Sequence, residues 1–349
     1  MIRGVVRWKA AACGVLGMVL ACGGATCAPT DGGGTTAQLI FKGLNAAILS
    51  IAGTAANDVY AVGADPDSDD LGPYVLHYNG TNWRRINSGL SGDLWWISVD
   101  AIDGAFYVCG EGGLIAKLTL ATGAFEAFTT SGAETIYGIW GSSATNLWAV
   151  GGDVDDPDTS GVIWHFDGAN WTAVDVTSIS ANGIPILYKV WGRSASEVYA
   201  VGRLGYVLRF DGTNWTKPTS GTTRTIFTVH GNSSLTVGTG GAIDGVIVEK
   251  NGDSFTNVAA AGTPQLNGVF IPPAGDGVAV GNEAAVARRT NGTWAVDADI
   301  TFDTTRDFHA TWGDPDGGIW AVGGDLSVEL ADGIVAYIGG QTISTEVAP

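Results

Sequence analysis

Two runs of aspartates are the side chains of this sequence best suited to binding a cation. Each run lies in a loop between two strand-like patterns, with Asp65, Asp67, Asp69 and Asp70 in the first and Asp153, Asp155, Asp156 and Asp158 in the second. Alternating aspartates can present several hard oxygens to Ca²⁺, which takes six to eight oxygen ligands. Neither run ends in the bidentate glutamate of a full calcium loop, so a solvated acidic loop is the alternative. Calcium is the one cofactor that the sequence suggests.

The four histidines do not form a metal-binding or catalytic pattern. His77 and His165 occupy matching places in two copies of a repeated motif, so we interpret them as features of the repeat. His230 replaces a tryptophan of sister copies, and His309 lies near the start of the last copy, where it could face a central channel. No HExxH, GxSxG, phosphate-binding loop or paired-cysteine motif occurs. The sequence therefore favours a protein without a catalytic site.

The N-terminus reads as an export signal over residues 1–21. Basic residues precede an apolar run that is too short to span a bilayer as a helix. The run ends in VLAC, which resembles the bacterial lipobox, and this resemblance implies that Cys22 carries the lipid; an ordinary cleaved signal is the alternative. Residues 22–36 are rich in Gly and Thr and fit a flexible tether. We expect a protein anchored to a bacterial membrane, and Gly23 after the cysteine implies the outer membrane or cell surface.

Charge narrows the range of partners. The formal net charge of −18 opposes binding to nucleic acid, whose phosphates require a basic surface. It also disfavours anionic lipid, which leaves the lipid anchor as the predicted link to the membrane. Cys109 lies in a strand pattern where sister copies have small apolar residues, and we interpret it as a core residue.

A repeat organises almost the whole chain after the tether. A glycine closes an AVG-like strand about every 43 residues, the length of one four-stranded propeller blade. Its copies are Gly63, Gly110, Gly151, Gly202, Gly238, Gly281 and Gly323. A second glycine ends an HFDG-like turn in the same phase, at Gly80, Gly123, Gly168, Gly212, Gly252, Gly292 and Gly333.

Each copy reads as four short strands. In the third copy these are 136–141, 146–152, 161–168 and 170–175, with an Asp-Gly pair at the turn between the last two, as in a tight hairpin. The copies begin near Ile48, Leu94, Ile136, Leu187, Ile226, Leu266 and Phe308. Recurrent tryptophans are predicted to pack between copies: Trp83, Trp171, Trp215 and Trp294 at the fourth strand, and Trp140, Trp191 and Trp312 at the end of the first.

These patterns predict an all-β fold: a single β-propeller of about seven four-stranded blades over residues 37–349. A blade cannot bury both of its apolar faces alone, so the ring must close. Residues 38–43 and 334–338 are both suited to complete the last blade, and the sequence does not choose between them.

The run WGSSATNLWAVGG followed by HFDGANW resembles the tandem repeats of secreted proteins and lipoproteins abundant in myxobacteria, over roughly residues 48–340. That resemblance implies a propeller and no particular activity. A looser likeness is to the Asp-box of sialidase-type propellers. Asp167, Gly168 and Trp171 match its Asp, Gly and Trp without its serine, and the motif is structural in that family.

From these observations we expect a non-catalytic, surface-anchored lipoprotein that binds an extracytoplasmic protein or glycan. The loops between the second and third strands, and those joining one copy to the next, open on the same face of a propeller. We predict that this face holds the binding site. The alternative is a glycan-active hydrolase or lyase with acids at the channel mouth.

Overall fold

The computed structural model describes residues 36–66, 71–128, 130–326 and 330–348. The predicted signal peptide, Cys22 and all but the last residue of the predicted tether lie outside these residues, as do Asp67, Asp69 and Asp70. None of the described residues belongs to a helix long and apolar enough to cross a bilayer.

Seven sheets, each with a blade of four antiparallel strands, form a β-propeller, which confirms the predicted fold class. The first strands of neighbouring blades contact one another all the way round, so they surround the axis. In blades 1 to 7 these inner strands are β2 (Ile48–Ala55), β6 (Leu94–Ile97), β10 (Thr135–Ser143), β14 (Leu187–Ser194), β18 (Ile226–Gly231), β22 (Leu266–Phe270) and β26 (Asp307–Gly313).

The remaining strands follow in chain order within each blade. The second strands are β3 (Asp58–Gly63), β7 (Ala105–Gly110), β11 (Asn146–Gly152), β15 (Glu197–Gly202), β19 (Thr236–Gly241), β23 (Val278–Gly281) and β27 (Ile319–Asp325). The third strands are β4 (Val75–Tyr78), β8 (Ile115–Thr119), β12 (Val162–Phe166), β16 (Val207–Phe210), β20 (Gly245–Asn251), β24 (Val286–Thr290) and β28 (Ala331–Gly339). Single 3₁₀ turns at Glu111–Gly113, Arg203–Gly205 and Asn282–Ala284 join the second and third strands of blades 2, 4 and 6.

Strands from both ends of the described part of the chain contribute to closing the ring. The outer strands of blades 1 to 6 are β5 (Trp83–Arg85), β9 (Ala124–Phe128), β13 (Trp171–Ala173), β17 (Trp215–Thr216), β21 (Ser254–Asn257) and β25 (Thr293–Val296). In blade 7 the outer strand is β1 (Thr36–Leu44), which pairs antiparallel with β28. A short final strand, β29 (Val347–Ala348), runs parallel to β5 of blade 1. Residues 38–43 and 334–338, the two alternatives for completing the last blade, are therefore neighbouring strands of that blade.

The strand register corrects the position of two repeat glycines, one in blade 5 and one in blade 7. In every blade except blade 5, the glycine that pairs with the first core residue of the inner strand is the one identified from the sequence, as in the pair Ile136↔Gly151. In blade 5 Ile226 pairs with Gly240, so the choice of Gly238 was wrong by two residues. Gly333 lies within β28 and not at a hairpin, because β1 replaces the strand that would have followed.

Aromatic side chains fill the interfaces between blades. Trp83 of blade 1 is fully buried, 6.0 Å from Trp320 of blade 7 between ring centroids. Trp215 of blade 4 lies 5.2 Å from Trp148 of blade 3. Trp171 is 6.5 Å from Phe128 of blade 2, and the indole of Trp294 donates a 2.8 Å hydrogen bond to Glu249 of blade 5.

At the end of the inner strands, one blade's tryptophan covers a glycine of the next blade. A Cβ on Gly192 would lie 2.5 Å from the Trp140 ring, and Gly231 and Gly53 stand in the same relation to Trp191 and Trp312. Glycine is required here because any side chain would overlap the indole of the preceding blade.

Candidate functional site

A β-bulge occurs at the same place in the inner strand of every blade. The register between the first and second strands slips there by one residue, as between Ile136 and Gly138 in blade 3. A bulge of this kind leaves one residue outside the ladder and redirects its side chain. The seven bulged residues are Leu49, Trp95, Tyr137, Tyr188, Phe227, Asn267 and His309.

Six of these seven residues, all but Leu49, line one cavity of about 390 Å³. We call this cavity the funnel. Its rim also includes Val154, Asn282 and Leu326, which follow second strands, and Gln265, which precedes an inner strand. The funnel thus opens on the face where the second-to-third-strand loops and the blade-to-blade loops meet.

Five of the bulged side chains form a continuous aromatic arc. The ring centroids are 5.9 Å apart between His309 and Trp95, 5.1 Å between Trp95 and Tyr137, and 5.5 Å at each of the two further steps through Tyr188 to Phe227. Tilted and edge-on contacts at these distances are favourable and fix the rings against each other. The arc is a preorganised apolar wall that spans blades 7 and 2 to 5.

Amides occupy the opposite side of the funnel. The Asn267 side chain donates hydrogen bonds to the Phe308 carbonyl at 2.8 Å and to Asn282 Oδ1 at 3.2 Å. Gln265 Nε2 donates to Asn267 Oδ1 at 2.9 Å, and Asp307 Oδ1 accepts the Glu283 N–H at 2.8 Å. The funnel therefore has an aromatic side and a hydrogen-bonding side, a common composition for ligand sites.

Lys189 lies at the floor of the funnel and is only 5 % exposed. Its side-chain nitrogen, Nζ, donates to the Tyr137 carbonyl at 3.0 Å and lies 3.2 Å from the centroid of the Trp96 ring. Burial lowers the pKa of Lys189 well below its usual range, because the charged form loses its hydration. Lys189 was not predicted as a site residue, and its only signal in the sequence is a lysine among the apolar residues at the start of a strand.

His309 contributes to the arc as a neutral ring. Its Nδ1–H donates to the Leu49 carbonyl across the closing interface, and burial lowers its pKa to about 4. The structure thus places His309 at the central channel, as the sequence suggested.

Cys109 is fully buried, and burial raises its pKa to about 12.

His77 and His165 have matching structural contacts. His77 Nε2 hydrogen-bonds Asp58 at 2.7 Å and lies 4.2 Å from the Tyr60 ring. His165 Nε2 hydrogen-bonds Asn146 at 2.8 Å and lies 4.2 Å from the Trp148 ring. Each links the third strand of its blade to the second.

The aspartates of the acidic loops form hydrogen bonds and an ion pair with nearby residues of the protein. Asp153 Oδ1 accepts the Asp155 N–H at 2.9 Å, and Asp156 accepts the Thr159 hydroxyl. Asp158 forms a 2.6 Å ion pair with Arg203. In the part of the chain that the structure describes, no group of three His, Cys, Asp or Glu residues could hold a metal ion. Asp65, the described aspartate of the first loop, accepts the Gly92 N–H at 3.3 Å, and calcium binding stays a prediction.

A wider cavity of about 1040 Å³ marks the opposite mouth of the ring, where the inner strands end. His230 lies in its wall and accepts the Ile271 N–H through Nδ1 at 2.9 Å, and burial lowers its pKa to about 4. Arg193 is held there by the Asn232 carbonyl at 2.8 Å and by Glu197 at 2.9 Å. The charge of Arg193 is thus already paired within the protein.

The sequence matches no protein-family model and no curated protein. Solved structures share its fold. YCF48 from Cyanidioschyzon merolae superposes with a TM-score of 0.64 at 15% identity, covering 88% of this chain and 99% of that one. A structure described as YCF48 bound to D1 peptide gives 0.62 at 14% identity, covering 87% and 96%. The WD40 propeller domain of Doa1 gives 0.62 at 12% identity, covering 88% and 98%. At these identities the likeness establishes that the described chain is a β-propeller.

Proposed function

We propose that this chain is a non-catalytic, surface-anchored β-propeller that binds an extended segment of an extracytoplasmic protein in the funnel. The observation that carries the proposal is the convergence of six bulged residues on one mouth. Five of them form the aromatic arc, which suits an apolar side chain of a partner. Aromatic anchors in a preformed pocket dominate the energetics of many interfaces.

A fold neighbour supports the class of partner. A structure that superposes on this chain is described as YCF48 bound to D1 peptide. The lipobox-like VLAC and the likeness of the repeat to those of secreted lipoproteins support a location outside the cytoplasm with Cys22 lipidated. Replacement of Cys22 by Ser should release the protein from the membrane fraction and abolish labelling by a fatty-acid analogue.

A glycan is the second candidate ligand, because aromatic faces next to fixed amides also suit a sugar. Glycan hydrolysis has less support. Canonical acid-base cleavage needs two carboxyl groups flanking the bond, and among the described residues lining the funnel one, Asp307, carries a carboxyl group. Binding therefore fits the funnel better than cleavage.

The test is a peptide and glycan array probed with the full-length protein and two variants. Tyr188→Ala removes a ring from the arc, and Tyr206→Ala is the control, since Tyr206 is a half-buried tyrosine of the same blade outside the funnel lining. We expect peptide ligands whose affinity falls at least about tenfold in Tyr188→Ala, the usual effect of losing an anchor. They should bind Tyr206→Ala normally.

If only glycans on the array bind the protein, the partner is a sugar and not a protein. Peptides that bind wild type and Tyr188→Ala equally would show that the funnel is not the binding site.

A further inference from the structure

Lys189 reaches across a neighbouring blade to its position in the funnel floor. It belongs to β14 of blade 4, yet its amine contacts the Tyr137 carbonyl of blade 3 and the Trp96 ring of blade 2. Gly138 of blade 3 makes this possible, because a Cβ there would lie 2.9 Å from the Lys189 Cα. Three blades thus contribute the contacts of one amine, and its residue lines the funnel.

Lys189 forms no ion pair with any residue that the structure describes. Burial raises the pKa of the Cys109 thiol and of the Tyr137 phenol to about 12 and lowers the pKa of the His309 imidazole to about 4, so all three groups are uncharged near neutral pH. Asp307 also contributes to the funnel lining, but the described structure contains no ion pair between it and Lys189. A buried charged amine whose contacts are a neutral carbonyl and an indole ring is costly, and a ligand that supplied an anion would relieve that cost.

The amine also retains hydrogen-bonding capacity. A protonated lysine has three donors, and one protein acceptor, the Tyr137 carbonyl, is found for Lys189 among the described residues. A carboxylate is the complementary group, because it accepts charge-assisted hydrogen bonds. The aromatic arc above the amine would then contact whatever apolar body carries that carboxylate.

We propose that the funnel binds a carboxylate attached to an apolar or aromatic body, with the carboxylate paired to Lys189 and the body against the aromatic arc. This rests on the proposed function, since it uses the same mouth, and it specifies the chemistry of the ligand. The carboxylate has two possible sources: the free C-terminus of a peptide or a small organic acid. A volume of about 390 Å³ is within the range of small-molecule sites.

Pairing with a carboxylate has a thermodynamic signature. The ligand stabilises the protonated amine, so binding at a pH where Lys189 is neutral takes up one proton, and affinity for the acid falls as the pH rises. A lysine with a purely structural role would give no such coupling. The net charge of −18 opposes the approach of an anion, but this field is screened beyond about 8 Å at physiological ionic strength.

The experiment compares acids with their amides by isothermal titration of the full-length protein. The probes are indole-3-acetate against indole-3-acetamide, and the tripeptide Gly-Gly-Phe with a free against an amidated C-terminus. We expect at least one acid to bind tenfold or more tightly than its amide. Proton uptake on binding of the acid, measured in two buffers of different ionisation enthalpy, should rise towards one as the pH is raised through the pKa of Lys189. The pair that shows the preference identifies the source of the carboxylate.

Two variants assign the effect to a residue. Lys189→Met keeps the length and apolar stem of the side chain and should abolish the preference for the acid. Lys217→Met is the matched control, because Lys217 lies over the Tyr206 ring outside the funnel lining and should leave the preference unchanged. Should Lys189→Met fail to fold, the acid-to-amide ratio and the proton uptake of wild type still decide the matter.

Equal affinity for acid and amide, no binding of either acid, or a preference that survives Lys189→Met would overturn the inference. These outcomes leave the proposed function standing if array peptides still lose affinity in Tyr188→Ala. If Tyr188→Ala also has no effect on those peptides, both proposals fail.

Discussion

Acidification should destabilise the propeller through His230, and the size of the effect follows from the environment of the His230 imidazole. The His230 imidazole is buried between Trp191 and Phe270, whose ring centroids lie 5.5 and 5.0 Å away, and it accepts the Ile271 N–H through Nδ1. Protonation would place a hydrogen on the accepting nitrogen and a charge in an apolar interface. Burial accordingly lowers the pKa to about 4 from its ordinary 6.5.

Because the folded pKa lies below the unfolded one, the unfolded chain binds the proton more readily. The stability that neutral His230 provides is therefore fully present above pH 6.5 and is lost as the pH falls towards 4. Between pH 7 and pH 4.5 this loss amounts to about 2 kcal/mol in the free energy of unfolding. His309, with the same direction of pKa change, adds to the total.

Urea denaturation of wild type and His230→Phe at pH 7 and pH 4.5 isolates the contribution. At pH 7 the variant should be less stable by about 1–3 kcal/mol, because the buried Ile271 N–H loses its acceptor. At pH 4.5 this gap should shrink by about 2 kcal/mol, while the effect of His309 cancels. A gap that is the same at both pH values would refute the reasoning.

Two further substitutions test how the blades hold one another. Gly192→Ala places a methyl group 2.5 Å from the Trp140 ring and should lower the free energy of unfolding by about 1–3 kcal/mol. Gly340→Ala, which has no atom within 4 Å of the added group, should change it by less than about 0.5 kcal/mol; equal effects in urea melts would argue against the contact. Trp83→Ala should cost about 3–5 kcal/mol, as a fully buried tryptophan at the closing interface. Trp171→Ala should cost less because Trp171 is only half-buried, and a reversed order in thermal melts would contradict this account of ring closure.

The sequence predicted the blades accurately because their inner strands begin with a large apolar residue at regular spacing. The residues proposed as starts, from Ile48 to Phe308, all lie at the first or second position of an inner strand. The error at Gly238 has a physical cause. The second strand of blade 5 reads TVGTGG, and glycines carry no side chain to mark which face is buried, so a shift of two residues leaves the pattern unchanged.

Ring closure and the funnel floor depend on contacts between distant parts of the chain. Residues 38–43 and 334–338 have the same strand-like pattern, and only their pairing with each other shows that one is the third strand and the other the outer strand of blade 7. Lys189 reads as an isolated polar residue in a strand. Its role depends on the space left by Gly138 in the preceding blade, which no local periodicity reveals.

Because of the bulges, six side chains that line the funnel belong to residues that do not contribute to the hydrogen-bond ladder between strands. A residue that stands outside the ladder can be exchanged without removing a rung between strands, and in six blades the exchanged side chain points to the same small volume. The lining of the funnel can therefore be changed one residue per blade while the ladder hydrogen bonds between the strands stay in place.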